Sequence, residues 1–220
     1  MRSLFAFCLT VSTALPVWAC ERPVCLVEAD SLHLARHVTF DDLPSGFGVG
    51  RQIEGILDQN GVRFGERFSG QSLTVQGDFD GVEGTASAPL TLLPGAPGET
   101  LGILRLMRTS VLQGHGPRGF PRAEAVGEGA IAAIFDYDQS AISLDIRGGE
   151  LGEATVTFLS RDGQKIDTHT LGPLSETSHG FLRQHRKSDI AGILITNTDP
   201  EGIALDNLRF DQSAILGWLR

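Results

Sequence analysis

From about residue 36 onward, apolar residues recur at every second position rather than at the 3.6-residue spacing of a helix, and that period decides what the chain can become. In Ala154-Thr-Val156-Thr-Phe158 and Ile142-Ser-Leu144-Asp-Ile146-Arg147 the apolar side chains alternate with Thr, Ser, Asp and Arg. That is the pattern of antiparallel strands buried on one face. Similar short runs fall near 62–66, 72–76, 101–106, 129–136, 165–170, 190–196 and 202–210. Turn clusters such as Arg161-Asp-Gly163, Pro94-Gly-Ala-Pro-Gly98 and Asn197-Thr-Asp-Pro200 separate them. Many short strands of this kind predict an all-β chain folded as an antiparallel β-sandwich or jelly roll. Helix is invited in two places, a short N-terminal one within 26–36 and a turn or two around Ile53, Ile56 and Leu57. No repeat or linker interrupts the pattern, so 36–212 reads as one domain, with 213–220 as a tail.

Ahead of this region, residues 1–19 carry one Arg, a short apolar stretch, Pro16 and a small residue, Ala19, at a cleavage position, which predicts a secretory signal. No stretch approaches the roughly 20 apolar residues a membrane-spanning helix needs. The chain has 27 acidic against 18 basic residues, and losing the signal removes Arg2 and no acid. Such a field opposes general nucleic-acid binding. In the segment 20–35, Cys20 and Cys25 form an even pair that an oxidising compartment would join as a disulfide. Lipidation of Cys20, after a partial lipobox, is the alternative.

Several motifs occur in a telling order: Val38-Thr-Phe-Asp-Asp-Leu43, Gly61-Val-Arg-Phe-Gly-Glu-Arg-Phe-Ser-Gly-Gln71, Ala88-Pro-Leu90, Gly127-Glu-Gly-Ala130, Phe135-Asp-Tyr-Asp-Gln139, Arg161-Asp-Gly163, Asp189-Ile-Ala-Gly-Ile193 and Leu205-Asp-Asn-Leu-Arg-Phe210. Over roughly 36–212 the chain resembles exported bacterial jelly-roll domains. That resemblance implies a galactose-binding-like fold, frequent company of a C-terminal surface-sorting anchor, and no assigned activity. Only ten residues follow Phe210, so a free periplasmic or secreted protein is expected rather than an anchored one.

Enzyme signatures are sparse. Gly114-His-Gly-Pro-Arg-Gly119 matches a dinucleotide fingerprint as a string, but Pro117 and Pro121 deny it the helix that receives a pyrophosphate. His33 and His37 lack a third metal ligand, and Asp136 with Asp138 reads as a turn before it reads as a glycosidase pair. Two acid-free segments stand out instead: Arg105, Arg108, Arg118 and Arg122 in one, and Arg183, Arg186 and Lys187 in the other. Brought together, they would form a positive rim for an acidic polysaccharide or surface glycan. An aromatic sugar platform is poorly supplied, since the mature chain has only Trp218 and Tyr137 beside its Phe residues.

The terminal strands suggest an ion. Apolar spacing runs two and then three in Val38-Thr-Phe40-Asp41-Asp42-Leu43, and again in Ile203-Ala-Leu205-Asp206-Asn207-Leu208, which is how a β-bulge looks in sequence. If first and last strands are neighbours, Asp41, Asp42, Asp206 and Asn207 make an all-oxygen set suited to structural Ca²⁺. The resulting expectation is a non-enzymatic, calcium-stabilised β-sandwich that binds a glycan or another envelope or matrix component. A structural or adhesive protein without a small ligand is the alternative, and an extracytoplasmic hydrolase or lyase a more distant one.

Overall fold

The computed structural model describes residues 20–210, apart from 150 and 175; the signal expected at 1–19 and the tail expected at 213–220, with Trp218, lie outside the described residues. Alternation becomes strand almost everywhere. In chain order these are β1 Val24–Val27, β2 Arg36–Val38, β3 Arg51–Gln52, β4 Leu57–Gln59, β5 Val62–Gly65, β6 Arg67–Phe68, β7 Ser72–Gln76, β8 Phe79–Glu83, β9 Leu92–Leu93 and β10 Leu101–Arg105. The chain continues through β11 Ser110–His115, β12 Val126–Gly129, β13 Ile131–Gln139, β14 Ala141–Arg147, β15 Ala154–Leu159, β16 Lys165–Leu171, β17 Thr177–Arg183, β18 Ile190–Asn197 and β19 Ala204–Phe210.

They build an all-β sandwich. The larger sheet runs β1-β17-β14-β19-β11-β10-β3, with β2 beside β19 and β12 beside β11. Its partner runs β16-β15-β18-β13-β5-β4. The pairings between these strands are antiparallel. Inward residues of the two sheets meet in one core, which three aromatic pairs cross: Phe158 with Phe181 at 5.0 Å, Phe135 with Phe210 at 5.2 Å, and Phe40 with Phe64 at 5.6 Å between ring centroids. All six rings are at most 3 % exposed. Each contributes on the order of 2–3 kcal/mol of burial free energy, so these contacts dominate the clamp between the sheets.

Both invited helices are absent, and pairing explains why. Val24–Val27 lies along β17, and beyond it the chain makes a single 3₁₀ turn, Ala29–Leu32, ended by His33 in the left-handed region (φ 51°). Around residue 53 the chain is held to β10, with Ile53 N donating to Leu101 O at 2.8 Å, and Leu57 begins β4. Cys20 and Cys25 are joined by a disulfide. The segment it closes bridges the sandwich edge: Val24 N donates to Asp167 Oδ2 at 3.1 Å, and His169 Nε2 lies 2.8 Å from Val24 O.

A third, partial layer covers the smaller sheet. Two short ribbons, β6–β9 and β7–β8, lie over its outer face. Phe68, Leu90, Leu92 and Val82 pack there on Ala132, Ile134, Ala191 and Leu194. This second apolar cluster covers β13, β18 and Leu159 at the end of β15, and it leaves Thr155 and Thr157 of β15 and their neighbours on β16 only partly covered.

Candidate binding site

The open half of that outer face is lined with threonine. On β15, Ala154, Val156 and Phe158 face the core, so Thr155 and Thr157 face outward. Register places Thr170 and Thr196 opposite Thr155, and Thr168 and Leu194 opposite Thr157. Residues paired across an antiparallel sheet share a face, so two rows of hydroxyls and methyls run across three strands. Thr157 and Thr168 share a hydrogen bond of 3.2 Å between their hydroxyls. Threonine suits this place because its branched Cβ favours the extended backbone while its hydroxyl keeps the half-buried surface polar.

The β7–β8 hairpin stands beside these rows and turns them into a trough. A cavity of about 330 Å³ lies between Gln76, Asp80 and Val82 on the hairpin side and Thr155, Thr170 and Thr196 on the sheet. A second, of about 270 Å³, adjoins it through the shared Val82, Thr157 and Leu194 and extends to Lys165. Its floor is uncharged; Glu153 and Asp80 mark one end and Lys165 the other. Hydroxyl groups, each donor and acceptor, can exchange hydrogen bonds with another hydroxylated chain, while their methyls and Val82 offer apolar contact. The lining contains no aromatic ring.

The acidic set at the terminal strands adopts different partnerships. β2 does pair with β19, and the register between β14 and β19 skips Asp206, which places a bulge there. Asp41 Oδ1 accepts from Ser110 N at 2.7 Å, next to Thr109, whose hydroxyl donates to Asp206 Oδ1 at 2.9 Å. Asp42 is an exposed turn residue. The other Asp206 oxygen, Oδ2, accepts two bonds from Arg147, from Nε at 2.9 Å and Nη2 at 2.6 Å. Asn207 lies 2.7 Å through Oδ1 from His37 Nε2 and donates to Asp145 at 2.6 Å. Thr109 and Arg147 thus take up both Asp206 oxygens, and among the described residues no three His, Cys, Asp or Glu side chains are grouped so as to hold a metal ion.

The basic residues are spread over three places. Arg105 and Arg108 lie where β10 turns into β11, with Arg105 Nη1 donating to Ser110 Oγ at 3.1 Å. Arg118 and Arg122 follow the opposite end of β11, and Arg118 pairs with Asp78. Arg183 and Lys187 share Asp189, each at 2.8 Å, near the far edge of the larger sheet, while Arg186 is exposed. Burial raises Asp189, but its bonds from Arg183 and Lys187 outweigh that and hold it below the ordinary carboxylate range. A six-residue β11 alone separates the first two groups by roughly 20 Å.

No protein-family model matches the chain, and no curated protein does. Among the described residues no helix is long and apolar enough to cross a membrane. The trough is hard to read in the sequence because outward threonines on alternating strands look like ordinary solvent-facing residues. A signal is present nonetheless: Thr-x-Thr recurs at 155/157, 168/170 and 196/198.

Proposed function

We propose that this chain is an exported, non-enzymatic β-sandwich module whose threonine-lined trough binds a hydroxyl-rich chain, a glycan of the envelope or matrix. The observation that carries this reading is the pair of cross-strand threonine rows beneath the β7–β8 hairpin, an uncharged hydroxyl surface inside a groove. Export is supported by the signal pattern of 1–19 and by the Cys20–Cys25 disulfide, which persists in oxidising compartments such as the periplasm or the extracellular space. The resemblance to exported jelly-roll domains agrees. With no aromatic platform, affinity rests on hydrogen bonds that each net only about 0.5–1.5 kcal/mol, so a polymer making repeated contacts suits the site better than a single sugar.

A panel of immobilised neutral and acidic polysaccharides tests this. The protein is expected to be retained on a neutral polymer with little dependence on salt. Replacing Thr155 and Thr170 together by Val, which keeps shape and strand preference, is expected to weaken binding about tenfold or more. Arg118→Glu with Arg183→Glu is expected to leave it unchanged. No retention on any polymer overturns the reading, and so does retention that follows the arginines.

A further inference from the structure

The β7–β8 hairpin that walls the trough is a two-stranded sheet of its own, its backbone ladder closed on itself, so side chains must hold it to the sandwich. Leu73 and Val82 pack on the second apolar cluster, and Asp78 in the turn pairs with Arg118. Asp80 points inward: it is 5 % exposed, and its Oδ2 accepts from Ala130 N at 3.1 Å. Beside it lies Glu66, where the chain leaves β5 for β6. Glu66 is 0 % exposed, and among the described residues neither of its carboxylate oxygens meets a donor. The 94–99 loop packs over it, since a Cβ built on Gly95 would overlap Glu66 Oε2. The charged groups around the pair are Arg67 of β6, which donates to Pro94 O at 3.1 Å, Glu99 of the loop and Glu128 of β12.

Two adjoining carboxylates away from water repel, whereas a single proton between them makes a charge-assisted hydrogen bond. We propose that Glu66 and Asp80 hold one proton in common, and that this proton latches the hairpin, and with it the wall of the trough, to the sandwich. Glu66 is the carboxyl that carries the proton, because it is sealed and meets no other donor. Asp80 is the ionised acceptor, its charge favoured by Ala130 N. Burial first and the charge of Asp80 second push Glu66 up to about 9; Arg67 opposes the rise and Glu99 adds to it. Burial also raises Asp80, against the bonds from Ala130 and Glu66. The pair therefore keeps its proton through the neutral range and loses it in alkali, where two like charges press β8 away from the β5–β6 junction. In the unfolded chain Glu66 ionises at the ordinary glutamate value of about 4, so folding above that pH takes up a proton. The stabilisation is complete below that value and is lost progressively as pH rises to about 9. As a control on glycan binding the latch rests on the trough reading, but it is observable without any ligand.

Urea denaturation of the ligand-free protein and of Glu66→Gln between about pH 5 and pH 9 tests the assignment, because the amide can donate to Asp80 without titrating. Relative to the variant, the folding equilibrium constant of the wild type is expected to fall about tenfold per pH unit. At about pH 10, a protease active in alkali is expected to cut the wild type within 72–83 several times faster than it cuts the variant. Equal pH dependence of the two proteins overturns the proposal, as does equal cleavage of their hairpins or cleavage spread evenly along the wild-type chain. Should Glu66→Gln not fold, the infrared band of a protonated buried carboxyl decides in the wild type: it must be present at pH 7 and vanish above about pH 9, and its absence at pH 7 overturns the proposal. These readouts involve no glycan, so their failure is distinct from a failure of the protein to be retained on any polysaccharide, which overturns the trough reading alone.

Discussion

Replacing either partner of the Arg147–Asp206 pair asks which interaction holds the bulge at the last strand. Asp206 retains 9 % of its side-chain exposure and Arg147 29 %, so the two residues do not respond alike. Asp206→Ala leaves a guanidinium that still reaches water and Glu176, and we expect a loss of about 1–2 kcal/mol. Arg147→Ala strands a nearly buried carboxylate with only the Thr109 hydroxyl, and we expect about 2–4 kcal/mol. A double-mutant cycle then yields a coupling of about 1–2 kcal/mol, since the two share one bidentate contact. Urea denaturation followed by circular dichroism, with and without chelator, measures all four corners. Coupling near zero refutes the reasoning. So would an Asp206→Ala loss that exceeds the Arg147→Ala loss and appears only when calcium is present, which would return Asp206 to the role of calcium ligand.

Three further outcomes are expected. Replacing Cys20 and Cys25 together by Ser should lower stability by no more than about 2 kcal/mol, because the loop they close is short; thermal melting under oxidising conditions checks this, and a larger loss would mean that the segment organises more than the sandwich edge. Gly192→Ala places a methyl 2.8 Å from Ala133 O and 3.0 Å from Phe68 Cζ, under the β6–β9 ribbon, and should cost about 1–3 kcal/mol, read by denaturant midpoint at unchanged slope. Asp189, Asp145 and Asp167 are each raised by burial, but hydrogen bonds from Arg183 and Lys187, from Ser178, Arg209 and Asn207, and from Arg22 with backbone N–H groups, respectively, outweigh it and lower them. Their stabilising contribution is complete above the ordinary carboxylate value of about 4 and is lost as pH falls through their lower folded values, so acid unfolding should lose its steepness at low pH in Asp189→Asn.

The strands that face water on one side are legible because alternation is imposed by burial on the other. β15, β14 and β19 read directly, and the break in phase at Asp206 corresponds to a bulge in register. β11 is hidden: Val111, Gln113 and His115 on its outward face are buried too, with Gln113 donating to Val49 O, so no polar alternation survives. β17, Thr177-Ser-His-Gly-Phe-Leu-Arg183, is polar enough to pass for a loop, and its Arg183 reads in sequence as a ligand contact rather than as a partner of Asp189. Charged residues reveal their partners only in three dimensions. For the same reason Glu66, in a run that alternates like any strand end, gives no sign of being sealed beneath a ribbon.

Threonine-methyl NMR gives the most direct measurement of the trough. With a neutral polysaccharide titrated in, shifts are expected at Thr155, Thr157, Thr168, Thr170 and Thr196, and none at Thr177 on the larger sheet. Shifts confined to the larger sheet, or a spectrum unmoved by any glycan, would contradict glycan binding at the trough.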